Sequence, residues 1–391
     1  MRALKIGFVF DDTLDVLDGV QQHILTLGHE LTRRGHEVHY LVGQTQHPPV
    51  EHVHSLSRNI MVSFNGNRMR IPLWAPQRAI ETALGGGHFD ILHVQAPYSP
   101  FLAGRVLKRA EASTGLVATY HIAPTGRLQM LAGQALGLLN ARSHRRIDRV
   151  IAVSPVAARY AQMTAGAQAI VIPNPVDVSG LLERRQAVGS DRIRAYRGPG
   201  PHIVFLGRFV PRKGAQTLID ALLFGQEHQL LPTNLHVTMA GRGPLLEDCR
   251  RQASSLSYQV DFPGFVSEED KPALLASADV AVFPSSGGES FGIVLLEAIA
   301  SGAAVTLAGD NPGYRSTLAD DGDALFPVKG QQQQVAAGLA ERLSRALREP
   351  VWAQALGQRE QQLLGRYDIK TVVGQVEAVY RQAIELRAGM M

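Results

Sequence analysis

Residues 279–298, DVAVFPSSGGESFGIVLLEA, decide the architecture. Val280, Val282 and Phe283 form a short apolar run that stops at Pro284, the pattern of a buried strand. A glycine-rich loop follows, and from Ile293 the apolar chain resumes as a helix. A strand feeding a helix through such a loop is the repeating unit of a parallel α/β sheet. Glu289 lies in the loop and Glu297 inside the helix, so the two carboxylates need not share a helical face and can grip different parts of one ligand. The N–H groups of Ser290, Phe291, Gly292 and Ile293 open the helix, whose N-terminus carries about half a positive charge and favours an anion. A capped core helix with solvated glutamates is the plainer alternative.

Upstream, HIVFLGRFVPRKG (202–214) ends another apolar run with Arg208 and, five residues on, Lys213 before a glycine. Two cations at one strand end suit a nucleoside diphosphate leaving group, which gains negative charge as its bond breaks and is stabilised without a metal. Solvated surface cations are the alternative. GRGP (241–244) puts more glycines after a strand but lacks the third glycine of a dinucleotide fingerprint. With LHVTMAG, VDFPGFV and AAVTLA these runs make one β/α series. An earlier series passes through IGFVF, a helix over 20–34, HEVHYLV, DILHV, LVATYH and RVIAVS. Between them VIPNPVDVSGL (171–181) carries two prolines and an Asn-Pro step that oppose regular structure. The pattern predicts two Rossmann-like domains, residues 1–172 and 173–366. A last helical pattern lies in 367–391, and in two-domain folds of this kind such a helix commonly returns to the first domain.

A chain of 391 residues, 45% hydrophobic and 19% charged, has the size and composition for two globular α/β cores. Its one cysteine, Cys249, excludes an intramolecular disulfide framework or a cysteine-built metal site and fits a reducing compartment. The opening MRALKIGFVFDD reads as a first strand, since two aspartates cut off its apolar run. No stretch approaches the roughly 18 consecutive apolar residues of a spanning helix, so membrane contact is expected to be peripheral. Residues 1–172 hold 17 Lys and Arg against 11 Asp and Glu, and eleven of the fourteen histidines. That surplus is either solvated surface charge or an attraction to anionic lipid or a phosphorylated acceptor. Nucleic acid is disfavoured, because the basic residues are not interleaved with aromatics.

In the first half, DGVQ (18–21) sets Gly19 where the first strand turns into its helix, and a position without a side chain lets a diphosphate approach the backbone. Relief of a tight turn is the alternative reading. His121 ends the predicted strand LVATYH; on its own it is as well read as a structural histidine.

Together these pieces resemble the retaining GT-B glycosyltransferases of the glycogen-synthase-like clan, and within it the bacterial phosphatidylinositol mannosyltransferases. The resemblance runs from Ile6 to about Tyr380. It rests on DGVQ, GHEV (35–38), FDILHV (89–94), YH (120–121), IAVS (151–154), IPNPVD (172–177), LGR, RKG, GRG and above all GGESFGIVLLEA. It implies two Rossmann-like domains facing each other across a cleft, the first for the acceptor and the second for the donor nucleotide. It makes Arg208 and Lys213 the diphosphate clamp, with Gly19 closing over it. Glu289 would hold sugar hydroxyls and Glu297 the ribose, while Val266 and Lys271 in GFVSEEDK would flank the base. Gln21 and Arg70 would lie on the acceptor side, and His121 near the transferred sugar. No covalent nucleophile is implied, so a front-face route is expected, in which the leaving phosphate helps deprotonate the acceptor hydroxyl.

Some positions depart from the inositol-lipid enzymes. Asp12 stands where an aromatic is expected, Ile122 where a small hydroxyl residue is, and Gly126 where a lysine is. The helix after Pro76, QRAIETALGGG, lacks a dense basic cluster; Arg142, Arg145, Arg146 and Arg149 gather instead after a later apolar run, as a substitute or as cations complementing a helix dipole. DGD (321–323) is discounted as a metal site, since it follows a late helix and the clamp already supplies positive charge. The expected activity is transfer of a hexose, mannose first, from GDP-mannose to a lipid-linked or polyol acceptor such as phosphatidylinositol. No cofactor or metal is expected to be tightly bound, and the expected location is cytoplasmic, peripheral on the inner face of the membrane. The alternatives are a UDP-sugar with diacylglycerol, a non-catalytic sugar-nucleotide binder, and an NAD-linked oxidoreductase, the last disfavoured because no G-x-G-x-x-G opens either series.

Overall fold

The computed structural model describes residues 2–16, 18–64, 67–86, 88–97, 101–122, 127–187 and 189–390. The chain divides into two compact units, Met1–Pro175 with Tyr367–Met391, and Val176–Arg366.

In the first unit, β1 (Lys5–Phe10), α1 (Gly19–Arg33), β2 (Glu37–Val42) and β3 (Val53–Ser55) precede a hairpin of β4 (Arg58–Phe64) and β5 (Asn67–Trp74). The chain continues through α2 (Gln77–Gly85), β6 (Ile91–Gln95), α3 (Leu102–Arg109), β7 (Gly115–Tyr120), α4 (Arg127–His144), β8 (Arg149–Ala152), α5 (Pro155–Ala165) and β9 (Ala169–Val171). Seven of these strands form one sheet, ordered β3-β2-β1-β6-β7-β8-β9, with parallel pairings throughout.

The second unit runs α6 (Val178–Ala187), α7 (Ser190–Tyr196), β10 (His202–Leu206), a 3-10 turn (Pro211–Lys213), α8 (Ala215–Glu227), β11 (His236–Ala240), α9 (Leu246–Ala253) and β12 (Gln259–Gly264). Then come α10 (Lys271–Ala276), β13 (Val280–Phe283), α11 (Ile293–Ser301), β14 (Val305–Gly309), α12 (Pro312–Thr317), β15 (Leu325–Phe326), α13 (Gln332–Arg348) and α14 (Pro350–Tyr367). Its six-stranded sheet is ordered β12-β11-β10-β13-β14-β15 and is also parallel. The last helix, α15 (Ile369–Met390), belongs to the first unit. Two parallel α/β sheets are what the alternating apolar runs require, since a parallel sheet must be covered on both faces.

Alternation along β1 divides the first core. Ile6, Phe8 and Phe10 face a cluster with Leu27 of α1 and Val376 and Tyr380 of α15. Val9 points the other way, towards Ile80 of α2 and Val106 of α3. Buried polar contacts fix α15 on its face. Arg34 donates to Glu377 Oε2 at 2.9 Å and to the Lys370 carbonyl at 2.7 Å. The Tyr380 hydroxyl lies 2.7 Å from His93 Nδ1. Arg33 and Arg34 also bind the buried Glu30.

The hydrogen bond from Arg33 first, then that from Arg34, draw the Glu30 carboxyl down from its ordinary 4.5 to about 2, against the opposing effect of burial. A depressed carboxylate stabilises the fold fully above its unfolded value and ceases to do so as pH falls through its folded value. Stability should therefore decline as pH drops from 4.5 towards 2, and Glu30→Gln should flatten that decline, as followed by thermal melts across this range. Arg34→Ala, which strips a cation from two buried carboxylates, should destabilise the first unit by about 3 kcal/mol near neutral pH, read from denaturant melts.

Candidate functional site

Strand order reverses direction between β10 and β13 in the second sheet, and in open α/β sheets ligands bind beyond the carboxyl ends of the strands at such a point. The two chemistry-bearing loops emerge there. After β10 the chain passes Arg208 into the 3-10 turn, and Gly214, at φ +73°, brings that turn against the chain leaving β13. A Cβ on Gly214 would collide with the Pro284 carbonyl oxygen, so only glycine permits this approach. The Arg212 carbonyl then accepts from Ser286 N at 2.9 Å and Ser285 Oγ at 3.0 Å.

Both loops converge on Glu289. Its Oε1 accepts from Arg212 Nη1 at 2.6 Å, Lys213 Nζ at 2.9 Å and Ser285 Oγ at 2.9 Å. Burial by itself would raise the Glu289 carboxyl, but the Lys213 and Arg212 charges outweigh it and hold the group below its ordinary value. Lys213 is displaced downwards, first by burial and then by the neighbouring Arg212 and Arg208 charges, with Glu289 opposing. Arg208, placed at the exposed lip, therefore belongs to the same electrostatic cluster. Three cations against one carboxylate leave a surplus of two positive charges.

Helix α12 scaffolds the loop. The Asn311 side chain caps it by accepting from Tyr314 N at 3.0 Å. Gly313 lies so close to the Glu289 carbonyl that a Cβ would collide with it, and Thr317 Oγ1 donates to the Phe291 carbonyl at 3.0 Å. Gly292, at φ +130°, packs on the buried Tyr314 ring. The Phe291 side chain is itself core, so only its backbone can meet a ligand. Ser290, Gly292 and Ile293 are half-buried at the start of α11, which has no side-chain cap. Along that helix Glu297 pairs with Lys271 Nζ at 3.0 Å, and Val266 is buried ahead of α10.

The remaining expected residues lie in the first unit. His121 follows β7 and donates Nε2 to Gln95 Oε1 at 2.8 Å, while the His23 ring of α1 meets it edge-on at 4.7 Å. Burial pushes His121 well below the ordinary imidazole range and His23 down to about 4, so both are neutral at physiological pH. Among the described residues, Gln95 Nε2 and both His23 nitrogens are buried without a well-formed hydrogen bond, although the Asn174 side chain is near enough to His23 to oppose part of the effect of burial. Such unmet groups suit a hydroxyl-rich ligand. Gln21 Nε2 donates to the Thr13 carbonyl at 3.2 Å, which orients the carboxamide. Gly19 starts α1 with nothing within 4 Å of where a Cβ would stand and without a positive φ, so packing does not demand glycine there. Arg70 pairs with Met61 in the β4–β5 hairpin; its side chain and Gly126 lie outside the described part. Asp12 Oδ1 accepts from Thr13 N at 2.7 Å, and Ile122 is exposed.

The four arginines after the apolar run do not act as one cluster. Arg146 binds the carbonyls of Leu107 and Ala110, and Arg149 binds the Asp148 carbonyl and Gln382. The carboxylates of Asp321 and Asp323 are held by Arg359 at 2.8 and 2.9 Å. Arg212, Ser285 and Tyr314 were not singled out in the sequence. Only Arg212 had a signal there, as the cation beside Lys213 in the RKG motif.

Residues 17–179 match the model of Glycosyltransferase Family 4, and residues 192–358 that of Glycosyl transferases group 1. The chain belongs to the GT-B glycosyltransferases, the class that its two parallel-sheet domains and its sequence relatives define. It is 34% identical over 381 residues to the phosphatidyl-myo-inositol mannosyltransferase of Mycobacterium tuberculosis, covering 96% of each chain. The enzyme of the same name from Propionibacterium freudenreichii is 31% identical, over 97% of this chain and 95% of that one. A glycosyltransferase from Rickettsia africae shares the fold with a TM-score of 0.71 at 13% identity, over 97% of this chain and 99% of that one. HepE of Anabaena in complex with UDP and glucose gives 0.65 at 18%, over 96% and 99%.

Glu289→Ala and Lys213→Ala should each slow sugar transfer by about 10²-fold or more, the usual loss for a preorganised electrostatic contact. Initial rates at saturating donor test this, and near-normal rates in both variants reject the site.

Proposed function

We propose that this glycosyltransferase moves mannose, with retention of anomeric configuration, from GDP-mannose to phosphatidylinositol or a related lipid. The single observation that carries the reading is the surplus of two positive charges around Glu289, from Arg208, Arg212 and Lys213. That surplus matches the two negative charges of the diphosphate in a nucleotide sugar. The names of the relatives support mannose and the inositol lipid.

In this reading the second unit takes the donor. Arg208, Arg212 and Lys213 bind the diphosphate together with the N–H groups of Ser290, Phe291, Gly292 and Ile293 at the start of α11. Glu289 turns its second oxygen to the sugar hydroxyls. Glu297 binds the ribose, and Lys271, with Val266 beside it, borders the base. The first unit takes the acceptor through Gln21 and Arg70. Its Gly19 leaves backbone N–H groups open to the anion, and its neutral His121, oriented by Gln95, offers a hydrogen bond to the sugar or the attacking hydroxyl. As the glycosidic C–O bond breaks, the departing phosphate oxygen takes the proton of the acceptor hydroxyl, whose oxygen bonds to the anomeric carbon on the same face. The fixed cations bind the nucleotide more strongly as its charge grows, and this differential lowers the barrier. The lipid acceptor implies work at the inner membrane surface.

Incubation with GDP- and UDP-sugars and membrane lipids, followed by mass spectrometry, should give a mannosylated inositol lipid with GDP-mannose alone. Anomeric NMR of that product should show the α-configuration of the donor. A product formed from a UDP-sugar and diacylglycerol, an inverted anomer, or binding without turnover would each overturn the assignment.

A further inference from the structure

Helix α4 is apolar around most of its circumference, although only one side of it is packed. Its inner side meets α5 closely: a Cβ on Gly133 would collide with the Tyr160 hydroxyl, and one on Gly137 with the Thr164 carbonyl. Asn140 and Ser143 are buried near that side. On the opposite side Leu131, Leu138 and Leu139 are 62%, 79% and 72% exposed. At 3.6 residues per turn, positions 131, 135, 138, 139 and 142 share that face, with 145 at its edge. A helix with apolar residues all round is ordinarily covered on all sides, and a contiguous exposed apolar stripe marks a contact surface.

The charge beside the stripe identifies what covers it. Arg142 and Arg145 are exposed and form no ion pair or side-chain hydrogen bond among the described residues. No aspartate or glutamate occurs in α4. A groove of 840 Å³ continues from the stripe, lined by Leu138, Arg145, Arg149, Met163 and Ile170. Apolar side chains flanked by unpaired cations, within a unit that carries a positive surplus, complement the acyl-headgroup boundary of an anionic leaflet. Asp148 also lines the groove, but Arg387 takes up its carboxylate at 2.8 Å, so the two exposed arginines keep their charge for an anionic surface.

We infer that the α4 face of Leu131, Leu138, Leu139, Arg142 and Arg145 docks this protein on anionic phospholipid, with Leu138 and Arg145 shared between stripe and groove. The docking inference rests on the lipid acceptor proposed above: among the described residues no helix is long and apolar enough to cross a membrane, and a lipid acceptor requires a surface that holds the protein where the headgroup is displayed. α4 thus takes the place of the basic cluster absent after Pro76.

Flotation of the full chain with vesicles of phosphatidylcholine alone, or mixed with phosphatidylglycerol, tests the surface without offering the acceptor. The parent should bind the anionic vesicles only. Leu138→Ser/Leu139→Ser and Arg142→Glu/Arg145→Glu should each lower the bound fraction by about tenfold or more with unchanged melting temperature. Both pairs should keep transfer to detergent-dispersed phosphatidylinositol and lose it on vesicles. Unaltered vesicle binding in both pairs overturns the inference. So does a parent that ignores vesicles but dimerises through Leu138 and Leu139, as read by light scattering. A parent that binds phosphatidylglycerol vesicles but transfers to phosphatidylinositol in neither form leaves the surface supported and removes the acceptor instead.

Discussion

One carboxylate oxygen, Glu289 Oε1, gathers a guanidinium, an ammonium and a hydroxyl, each within 3 Å. Removing such charges from water is costly, and their attraction repays that cost only when geometry is close and remaining polar atoms are bonded. The surrounding backbone serves this requirement. Gly214 lets the turn carrying Arg212 and Lys213 approach Pro284, and Gly313 lets α12 approach the Glu289 backbone. Neither glycine is a hinge, because each sits where any side chain would force two segments apart. The loop after β13 is irregular, but the surrounding contacts determine it, as a site that must not reorganise during reaction demands.

The first unit solves a different problem, that of seating a helix distant in sequence on a finished sheet. Apolar contacts alone would let α15 slide along its groove. Glu377 receives Arg34 Nη1 at 2.9 Å and lies 3.0 Å from His36 Nε2, while Tyr380, one turn on, meets His93. Two polar anchors three residues apart admit only one register, since a slip would leave a buried carboxylate and a buried phenol unpaired.

Much of this was legible in the sequence because it repeats. Ten apolar runs, each followed by loop and helical residues, foretold all the sheet strands described except β3, β9 and β15, and their carboxyl ends carried Arg208, Lys213, His121 and Glu289. What escaped notice lacked that signal. β3, β9 and β15 are two or three residues long, too short for an alternation to register. The β4–β5 hairpin did carry a signal, the Asn-Gly dipeptide at 65–66 between its two runs, but it lies outside the β/α alternation and passed as part of a connection. The arginines at 142–149 looked equivalent in one dimension, yet the packing of α3 consumes Arg146 and leaves Arg142 at solvent. Arg212 was hidden by its company, since nothing in one dimension shows that the turn brings it to the carboxylate together with Lys213.

Under the proposed function Glu289 does more than orient the sugar. Without ligand it holds Arg212 and Lys213 where a diphosphate would need them, so little side-chain freedom remains to be lost on binding. It also competes for the same cations after transfer, when the nucleotide carries its greatest charge and would otherwise be hardest to release. A neutral glutamine could keep the hydrogen bond from Ser285 but would neither offset burial of Lys213 nor contend with the product. The carboxylate therefore sets both ends of the cycle: cations kept in place before the donor arrives, and an anion ready to reclaim them once the nucleotide leaves.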